Sequence, residues 1–275
     1  MKSTKVQIIA KTMNIFGLNK LGLLINKIIH GNEYIRAINY HSTPKDLMDQ
    51  FEKQMVYYGK NYSSVSKVDL KDLLNGKWNK DKLGLIISFD DGLESNYKYA
   101  KPILEKFNFQ GWFFIPAGLV GTGNCKIKDE TGSVLEKYMN WDQVKDLHTN
   151  HIIGSHTLTH QRLRNSLDKE FLRREINDSK NLLERKLNDK IDIFCWVGGE
   201  RDSYSKKASD VIKENNYKYS FLTNHYPIKK NSNPMQLERT NIEADWPIYL
   251  IEFYTSFFMD RRYQKKRSEI KKLLE

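Results

Sequence analysis

The chain has 275 residues, of which 39% are hydrophobic and 12% aromatic, a composition that excludes an intrinsically disordered protein and allows a sizeable core. Its net charge of +11 lies at the two ends: residues 1–30 hold five lysines and no acid, and residues 261–275 hold seven basic and two acidic residues, which leaves +1 for the rest. A nucleic-acid-binding domain more often spreads basic residues over a folded face, so no nucleic acid is expected as a partner.

The first predicted element is a basic, amphipathic segment at residues 1–33. Its apolar residues recur at helical spacing, while asparagines and lysines fall on the opposite side. The apolar positions are Leu18, Leu21, Leu24, Ile25, Ile28 and Ile29. Such a helix either lies at a membrane interface or packs on the body of the protein, and the sequence leaves both interpretations open.

Residues 34–260 alternate short apolar runs with helical patterns and are predicted to form the main domain. The predicted strands are Tyr34–Tyr40, Leu83–Phe89, Gly111–Ile115, His151–Ser155, Ile193–Val197, Tyr219–Leu222 and Gln236–Ile242. Helical patterns cover Asp168–Leu187 and Tyr204–Asn215. About seven strands alternating with helices predict an α/β fold with a mostly parallel sheet, namely a distorted or incomplete (β/α) barrel. Active sites of such barrels lie at the C-terminal ends of the strands.

Two adjacent carboxylates, Asp90 and Asp91, stand at one of these predicted strand ends, after the apolar run Leu85–Ile87. Like charges side by side are costly unless a partner offsets them. One aspartate followed by Gly92 is typical of a helix cap after a turn, but a cap requires only one aspartate. The pair therefore favours a site that uses both carboxylates.

Two histidines, His156 and His160, follow the predicted strand His151–Ser155. A spacing of four places them on one face of a helical or turn-like segment, which is a common spacing of metal ligands. One carboxylate and two imidazoles suit a catalytic divalent ion such as zinc and leave positions open for water. The second carboxylate is then free to act as a general base.

Both motifs resemble those of a known enzyme family. Ser88–Gly92 and Gly154–His160 resemble the first and second motifs of the polysaccharide deacetylases, carbohydrate esterases of the NodB-homology type. The resemblance covers roughly residues 35–254 and implies a distorted barrel that hydrolyses the N-acetyl group of an amino sugar. It implies Asp90 as the catalytic base and one divalent ion, with zinc favoured over Co2+, Ni2+ or Mn2+. The metal ligands that it implies are Asp91, His156 and His160.

The family's third motif usually contains an arginine, but the matching stretch Phe194–Gly199 has Cys195 at that position. Its side-chain roles therefore do not transfer directly. A backbone amide near Gly198 is still predicted to help stabilise the tetrahedral oxyanion, because that role needs no side chain.

The family's general acid is a histidine that usually lies near the C-terminus, yet no histidine follows His225. A circularly permuted subgroup, which includes biofilm poly-N-acetylglucosamine deacetylases, carries a Tyr-His motif before the Asp-Asp motif. Tyr40-His41 matches that motif, so the resemblance implies His41 as the acid. Arg239, on the last predicted strand, is predicted to orient Asp90, and Trp246 either lines the sugar site or belongs to the core.

The chain ends in a predicted basic helix, residues 261–275. Basic ends suit an anionic membrane surface, and they equally suit solvated helices. Cys125 and Cys195 form no disulfide or zinc-ribbon pattern, and the apolar run Leu21–Ile25 is short for a signal core. We therefore expect a cytoplasmic protein, and the sequence leaves open whether its basic ends associate with the inner face of the membrane or are solvated.

The predicted reaction is metal-dependent removal of an acetyl group from an amino sugar in a cell-surface glycan or in its polyprenyl-linked precursor. A deformylase of a lipid-linked amino sugar and a non-catalytic carbohydrate-binding relative are the alternatives. A two-metal phosphoesterase is disfavoured because the sequence supplies ligands for one ion.

Overall fold

The computed structural model describes residues 4–123 and 136–275, so Cys125 lies outside the described residues. Within them the strands are β1 (Ile35–Tyr40), β2 (Tyr62–Ser64), β3 (Leu83–Phe89), β4 (Gly111–Ile115), β5 (Ile152–Ser155), β6 (Ile193–Cys195), β7 (Tyr219–Leu222), β8 (Leu237–Glu238) and β9 (Thr240–Asn241). The α-helices are α1 (Thr4–Ile15), α2 (Leu18–His30), α3 (Met48–Asn61), α4 (Lys67–Leu74), α5 (Lys101–Lys106), α6 (Trp141–Asn150), α7 (Lys169–Arg173), α8 (Ser179–Leu187), α9 (Lys206–Glu214), α10 (Ile248–Tyr254), α11 (Phe257–Arg262) and α12 (Gln264–Leu274).

The strands form one parallel sheet in the order β8-β7-β6-β5-β4-β3-β1-β9, with β2 paired to β3 beside that path. The first and last strands of this order, β8 and β9, are separated in the chain only by Arg239. β8 pairs with β7 and β9 pairs with β1, so the segment from Leu237 to Asn241 brings the two edges of the sheet together. The predicted distorted (β/α) barrel is confirmed, and the predicted strand Gln236–Ile242 is present as two short strands.

Alternate residues along the strands face opposite sides, and the two sides have separate cores. On β3, Leu85, Ile87 and Phe89 belong to the outer core between the barrel and its helices. Ile86, between them, belongs to the inner core that fills the barrel. The inner face of β3 therefore continues through Ser88 to Asp90, at the C-terminal mouth of the barrel.

The helical prediction for Asp168–Leu187 agrees with α7 and α8, which a π-helical stretch at Arg174–Asp178 joins. The three-residue strand β2 was absent from the predictions, because a segment that short has no readable alternation. Both predicted terminal helices are present, as α2 and α12.

α2 packs on α10 and α11, but through its polar side. Its buried residues are Asn19, Gly22 and Asn26, whereas Leu21 and Leu24 are exposed. Of the two interpretations, packing on the body is therefore observed, and the apolar side of α2 remains exposed.

No single helix in the described part of the chain is long and apolar enough to cross a membrane. Together, α1 and α2 would be long and apolar enough to cross a membrane, but the pair is bent by 83°.

Candidate active site

The predicted catalytic residues meet at the mouth of the barrel because their strands are parallel. Asp90 and Asp91 follow β3, and His156 follows β5, so both segments end at the same edge of the sheet. They line a cavity of about 600 Å³ together with His41 and His160. The sequence-predicted base, metal ligands and acid thus share one cavity.

Asp90 is held by a bidentate ion pair. Arg239 donates from Nη1 to Oδ1 at 2.7 Å and from Nη2 to Oδ2 at 2.8 Å. Both side chains are buried, and Asn39 donates a further hydrogen bond to Oδ2 at 3.0 Å. Burial alone would raise the pKa of Asp90, but the positive charge of Arg239 outweighs it and keeps that pKa below its usual value. Asp90 is therefore an ionised, oriented carboxylate.

Asp91 faces two imidazoles. Its Oδ1 lies 2.8 Å from Nε2 of His160 and 3.4 Å from Nε2 of His156. One donor atom from each of the three residues falls within 4.8 Å of the others, a spacing that suits a single cation. Burial opposes ionisation of Asp91, but the hydrogen-bonding histidines outweigh it and hold its pKa well below the usual value.

The tautomer of His156 fits metal binding. Its Nδ1 lies 3.0 Å from the backbone carbonyl oxygen of Cys195. Because a carbonyl oxygen can only accept, Nδ1 carries the proton in this contact, and Nε2, 3.4 Å from Asp91 Oδ1, is the nitrogen that would bind an ion held between the two residues. A backbone carbonyl on the far nitrogen is the usual support of a metal-binding histidine, so the residues present fit a divalent ion.

The backbone at this site also adopts unusual conformations. Asp91, Thr157 and His160 all have positive φ, at 69°, 65° and 61°. Non-glycine residues rarely adopt this region, and such outliers cluster at functional sites. Here the left-handed turns follow β3 and β5 and lie beside the shared cavity.

A second possible cation group, Asp90 with His156 and Cys195, overlaps the first through His156. Both oxygens of Asp90 already accept hydrogen bonds from Arg239. A cation beside them would meet the positive guanidinium, so the Asp91 group is the better metal site.

Of the other predicted site residues, two line the cavity and one does not. Gly198 lines the cavity with φ 81°, and a Cβ there would lie 2.7 Å from Ser203 Oγ. His41 lines the cavity, and its backbone oxygen accepts a hydrogen bond from Asn96 at 2.8 Å. Trp246 does not line it: its ring is buried against Tyr254, which is the position of a core aromatic.

Among the residues not predicted for the site are Asn39, Ser88 and Cys195, which all contact Arg239. Arg239 Nη1 donates to Asn39 Oδ1 at 2.9 Å and to Ser88 Oγ at 3.0 Å. Arg239 Nη2 lies 2.8 Å from Cys195 Sγ. Alternation offered a signal for two of them, because Asn39 and Ser88 stand two residues before His41 and Asp90 on the same strands.

The outer part of the cavity is formed by loops and by the terminal helices. Arg162 Nη2 pairs with Glu200 Oε2 at 3.1 Å on one side. His225 stacks on Tyr263 with ring centroids 4.1 Å apart on another. Further lining residues are Val6 from α1, Tyr254 from α10 and Lys266 from α12.

A family model described as polysaccharide deacetylase matches residues 77–220, which is more than half of the chain. This match contains Asp90, Asp91, His156 and His160. The chain belongs to the polysaccharide deacetylase family. It is 24% identical over 163 residues to the Bacillus subtilis (strain 168) protein YxkH, which is named for this family. That alignment covers 58% of the chain and only about half (53%) of YxkH.

Three solved structures share this fold. The Streptococcus pyogenes deacetylase PplD, solved in complex with acetate, superimposes with a TM-score of 0.67 at 20% identity, covering 81% of this chain and 99% of that one. IcaB from Ammonifex degensii gives 0.64 at 17% identity, covering 82% and 99%. A de-N-acetylase from Aggregatibacter actinomycetemcomitans gives 0.64 at 19% identity, covering 80% and 99%. At these identities the likeness establishes the fold alone.

Proposed function

We propose that this member of the polysaccharide deacetylase family is a metal-dependent N-deacetylase, which releases acetate from an amino sugar in a cell-surface glycan or its lipid-linked precursor. The observation that carries the proposal is that two adjacent aspartates have different partners. Asp90 is paired with Arg239, whereas Asp91 faces two histidine nitrogens. One carboxylate is thus kept as a base and the other is available as a ligand.

Asp91, His156 and His160 would hold one divalent ion, with zinc favoured and Co2+, Ni2+ or Mn2+ as alternatives. When bound, the ion supplies Lewis acidity toward the acyl oxygen and favours ionisation of water. The three ligands would fix its position at the bottom of the cavity, next to Asp90.

The chain's own residues account for the proton transfers. Asp90 accepts a proton from the water that attacks the acetamide carbon, while Arg239 keeps its carboxylate oriented. The backbone amide near Gly198 donates to the oxyanion. His41 gives a proton to the leaving nitrogen as the C–N bond breaks. The products are acetate and a free amino sugar, so atoms and charge balance.

The decisive variant is Asp90→Asn, assayed on soluble N-acetylglucosamine oligomers after chelation and reloading with one metal at a time. We expect loss of acetate release with about one equivalent of metal still bound, because Asp90 is not a ligand. Asp49→Asn, on an exposed aspartate of α3, is the matched control and should keep full activity.

Near-normal hydrolysis by Asp90→Asn would refute the mechanism. Two tightly bound ions per chain would favour the phosphoesterase alternative. Release of formate in place of acetate would favour the deformylase alternative. The cytoplasmic location remains a prediction, and fractionation of cells that produce the tagged protein tests it.

A further inference from the structure

We propose that α1 and α2 form a docking surface for an anionic lipid bilayer, and that this surface brings the mouth of the catalytic cavity to a membrane-anchored amino sugar. The choice of substrate class rests on the proposed function, whereas the docking itself does not.

α2 buries its polar side against the body. Asn19 and Asn26 are both 0% exposed. Asn19 Nδ2 donates to the backbone oxygens of Ala10 and Tyr249, and Asn26 Nδ2 donates to that of Thr255, all at 3.0–3.1 Å. Gly22 lies between them, and a Cβ there would come within 2.8 Å of Phe258. Amide hydrogen bonds and a close glycine contact therefore fix which side faces inward.

The opposite side of α2 is apolar and exposed. Leu21, Leu24 and Ile28 repeat the spacing of the buried asparagines and glycine, with Leu24 53% and Ile28 75% exposed. α1 buries Ala10 and packs Val6 and Met13 against the core, and it too leaves apolar residues exposed on its outer side. The exposed apolar residues of the two helices are Ile8, Ile9, Ile15, Phe16, Leu18, Leu21, Leu24, Ile28 and Ile29.

Single exposed apolar residues are ordinary, but a contiguous apolar face on two consecutive helices marks an interaction surface. Elsewhere in the described part of the chain, the exposed large apolar residues are only Val56 and Val68. The apolar exposure is thus concentrated on α1 and α2, a pair we call the docking hairpin.

The positive charge of the docking hairpin indicates that its binding partner is an anionic membrane. The docking hairpin carries Lys5, Lys11, Lys20 and Lys27, all exposed, and no acidic residue. Lys20 and Lys27 stand seven residues apart, on one side of the apolar stripe of α2. An apolar face flanked by lysines is typical of a helix that lies in the interface of an anionic membrane. A second copy of the chain would bring the same positive charge to the contact and repel it.

The geometry favours lying on the membrane over crossing it. Helices of 12 and 13 residues are each about 20 Å long, shorter than the ~30 Å hydrocarbon core. The pair is bent by 83°, and its asparagine side is occupied by the body of the protein. Only the outer side of the docking hairpin is available to lipid.

The docking hairpin also reaches the catalytic cavity. Val6 of α1 lines that cavity together with Asp90, Asp91 and His160. The membrane-facing helix α1 therefore forms part of the cavity wall. A sugar held at the bilayer surface by a lipid anchor would arrive beside the metal ligands without leaving the membrane.

The test of docking is flotation with vesicles of phosphatidylcholine alone or with phosphatidylglycerol. Wild type should float with the anionic vesicles. The triple variant Leu21→Gln/Leu24→Gln/Ile28→Gln keeps helix-forming residues but removes the exposed apolar side of α2. We expect it to bind the anionic vesicles at least about tenfold more weakly. Val56→Gln/Val68→Gln, on exposed valines of α3 and α4, is the matched control and should float like wild type.

Lys11→Glu/Lys27→Glu tests the electrostatic part and should reduce binding to the anionic vesicles by about tenfold. Failure of wild type to float, or unchanged flotation of the glutamine variant, would overturn the docking proposal. So would a wild-type dimer in light scattering that the glutamine variant converts to a monomer, since the occupant would then be a second copy.

The substrate class is tested by comparing a lipid-anchored N-acetylglucosamine in anionic vesicles with a soluble oligomer. The glutamine variant should lose about tenfold or more of its rate on the anchored sugar and keep its rate on the soluble one. Equal rates for both proteins on the anchored sugar would overturn this part. If wild type floats but hydrolyses neither sugar, the proposed function fails while docking stands.

Discussion

The sharpest prediction concerns Arg239, which we expect to act as a positioning residue for Asp90. The perturbation is Arg239→Met, which keeps the apolar length of the side chain but removes both donors at 2.7 and 2.8 Å. Asp90 is then left buried without its cation. Removing one partner of a buried ion pair typically costs about 3–5 kcal/mol of folding free energy.

The same chain offers a matched pair away from the cavity. Arg36 donates to Asp260 from both terminal nitrogens at 2.7 Å, and both side chains are as buried as those of the Arg239–Asp90 pair. Arg36→Met should therefore cost a similar 3–5 kcal/mol by the same reasoning. It should leave turnover unchanged at temperatures where the variant is folded.

The assay measures the free energy of unfolding by urea denaturation and acetate release on a soluble oligomer. We expect both variants to lose comparable stability, but only Arg239→Met to lose about a hundredfold or more in kcat, the scale of a displaced general base. Arg239→Lys should recover charge but not the bidentate geometry, and so only part of kcat. Normal kcat in a folded Arg239→Met protein would refute the positioning role.

Two further predictions test the metal site and a half-buried acid, Glu238. His156→Ala should abolish tight zinc binding, measured by titration with a chromophoric chelator, because it removes one of three ligands. Burial raises the pKa of Glu238 to about 7 from its usual 4.5, so ionisation destabilises the fold as pH rises through this range. Glu238→Gln should remove that loss, about 3 kcal/mol for a shift of this size, and flatten the dependence of unfolding free energy on pH between 4.5 and 7.

Strand ends and motif spacing predicted much of the site because parallel strands place their C-terminal residues at one edge. That principle brought Asp90, Asp91 and His156 together, whereas His41 was predicted from the resemblance of Tyr40-His41 to the family's Tyr-His motif. Arg239 was found from its place on a strand, as the polar residue of the closing strand. Asn39 and Ser88 carried the same signal, but their role appears only when Arg239 is seen to contact both.

Other features depended on information that a sequence pattern does not carry. The periodicity of α2 tells which residues share a side, but not which side touches the body. The buried side was decided by backbone oxygens of Ala10, Tyr249 and Thr255 that accept from Asn19 and Asn26. Trp246 could equally be core or site in sequence, and packing on Tyr254 decided its place.

The third motif departs from the family pattern at Cys195, and contacts with Arg239 explain this departure. Moving the arginine from position 239 to position 195 tests the explanation. Cys195 stands where the resemblance places an arginine, and its Sγ lies 2.8 Å from Arg239 Nη2. Both residues are 0% exposed, so one guanidinium fills the space beside Asp90 and arrives from the closing segment rather than from β6.

An arginine at position 195 would have no space beside Arg239 and no carboxylate to pair with, because Asp90 is already paired with Arg239. Cys195→Arg alone should therefore destabilise the protein by overpacking and like-charge repulsion, by about 3 kcal/mol or more. Cys195→Arg/Arg239→Ala should recover part of that stability and part of kcat relative to Arg239→Ala, because a guanidinium again faces Asp90. The measurement is a double-mutant cycle on unfolding free energy and acetate release. Additive losses in both quantities would show that the two positions do not share one guanidinium site.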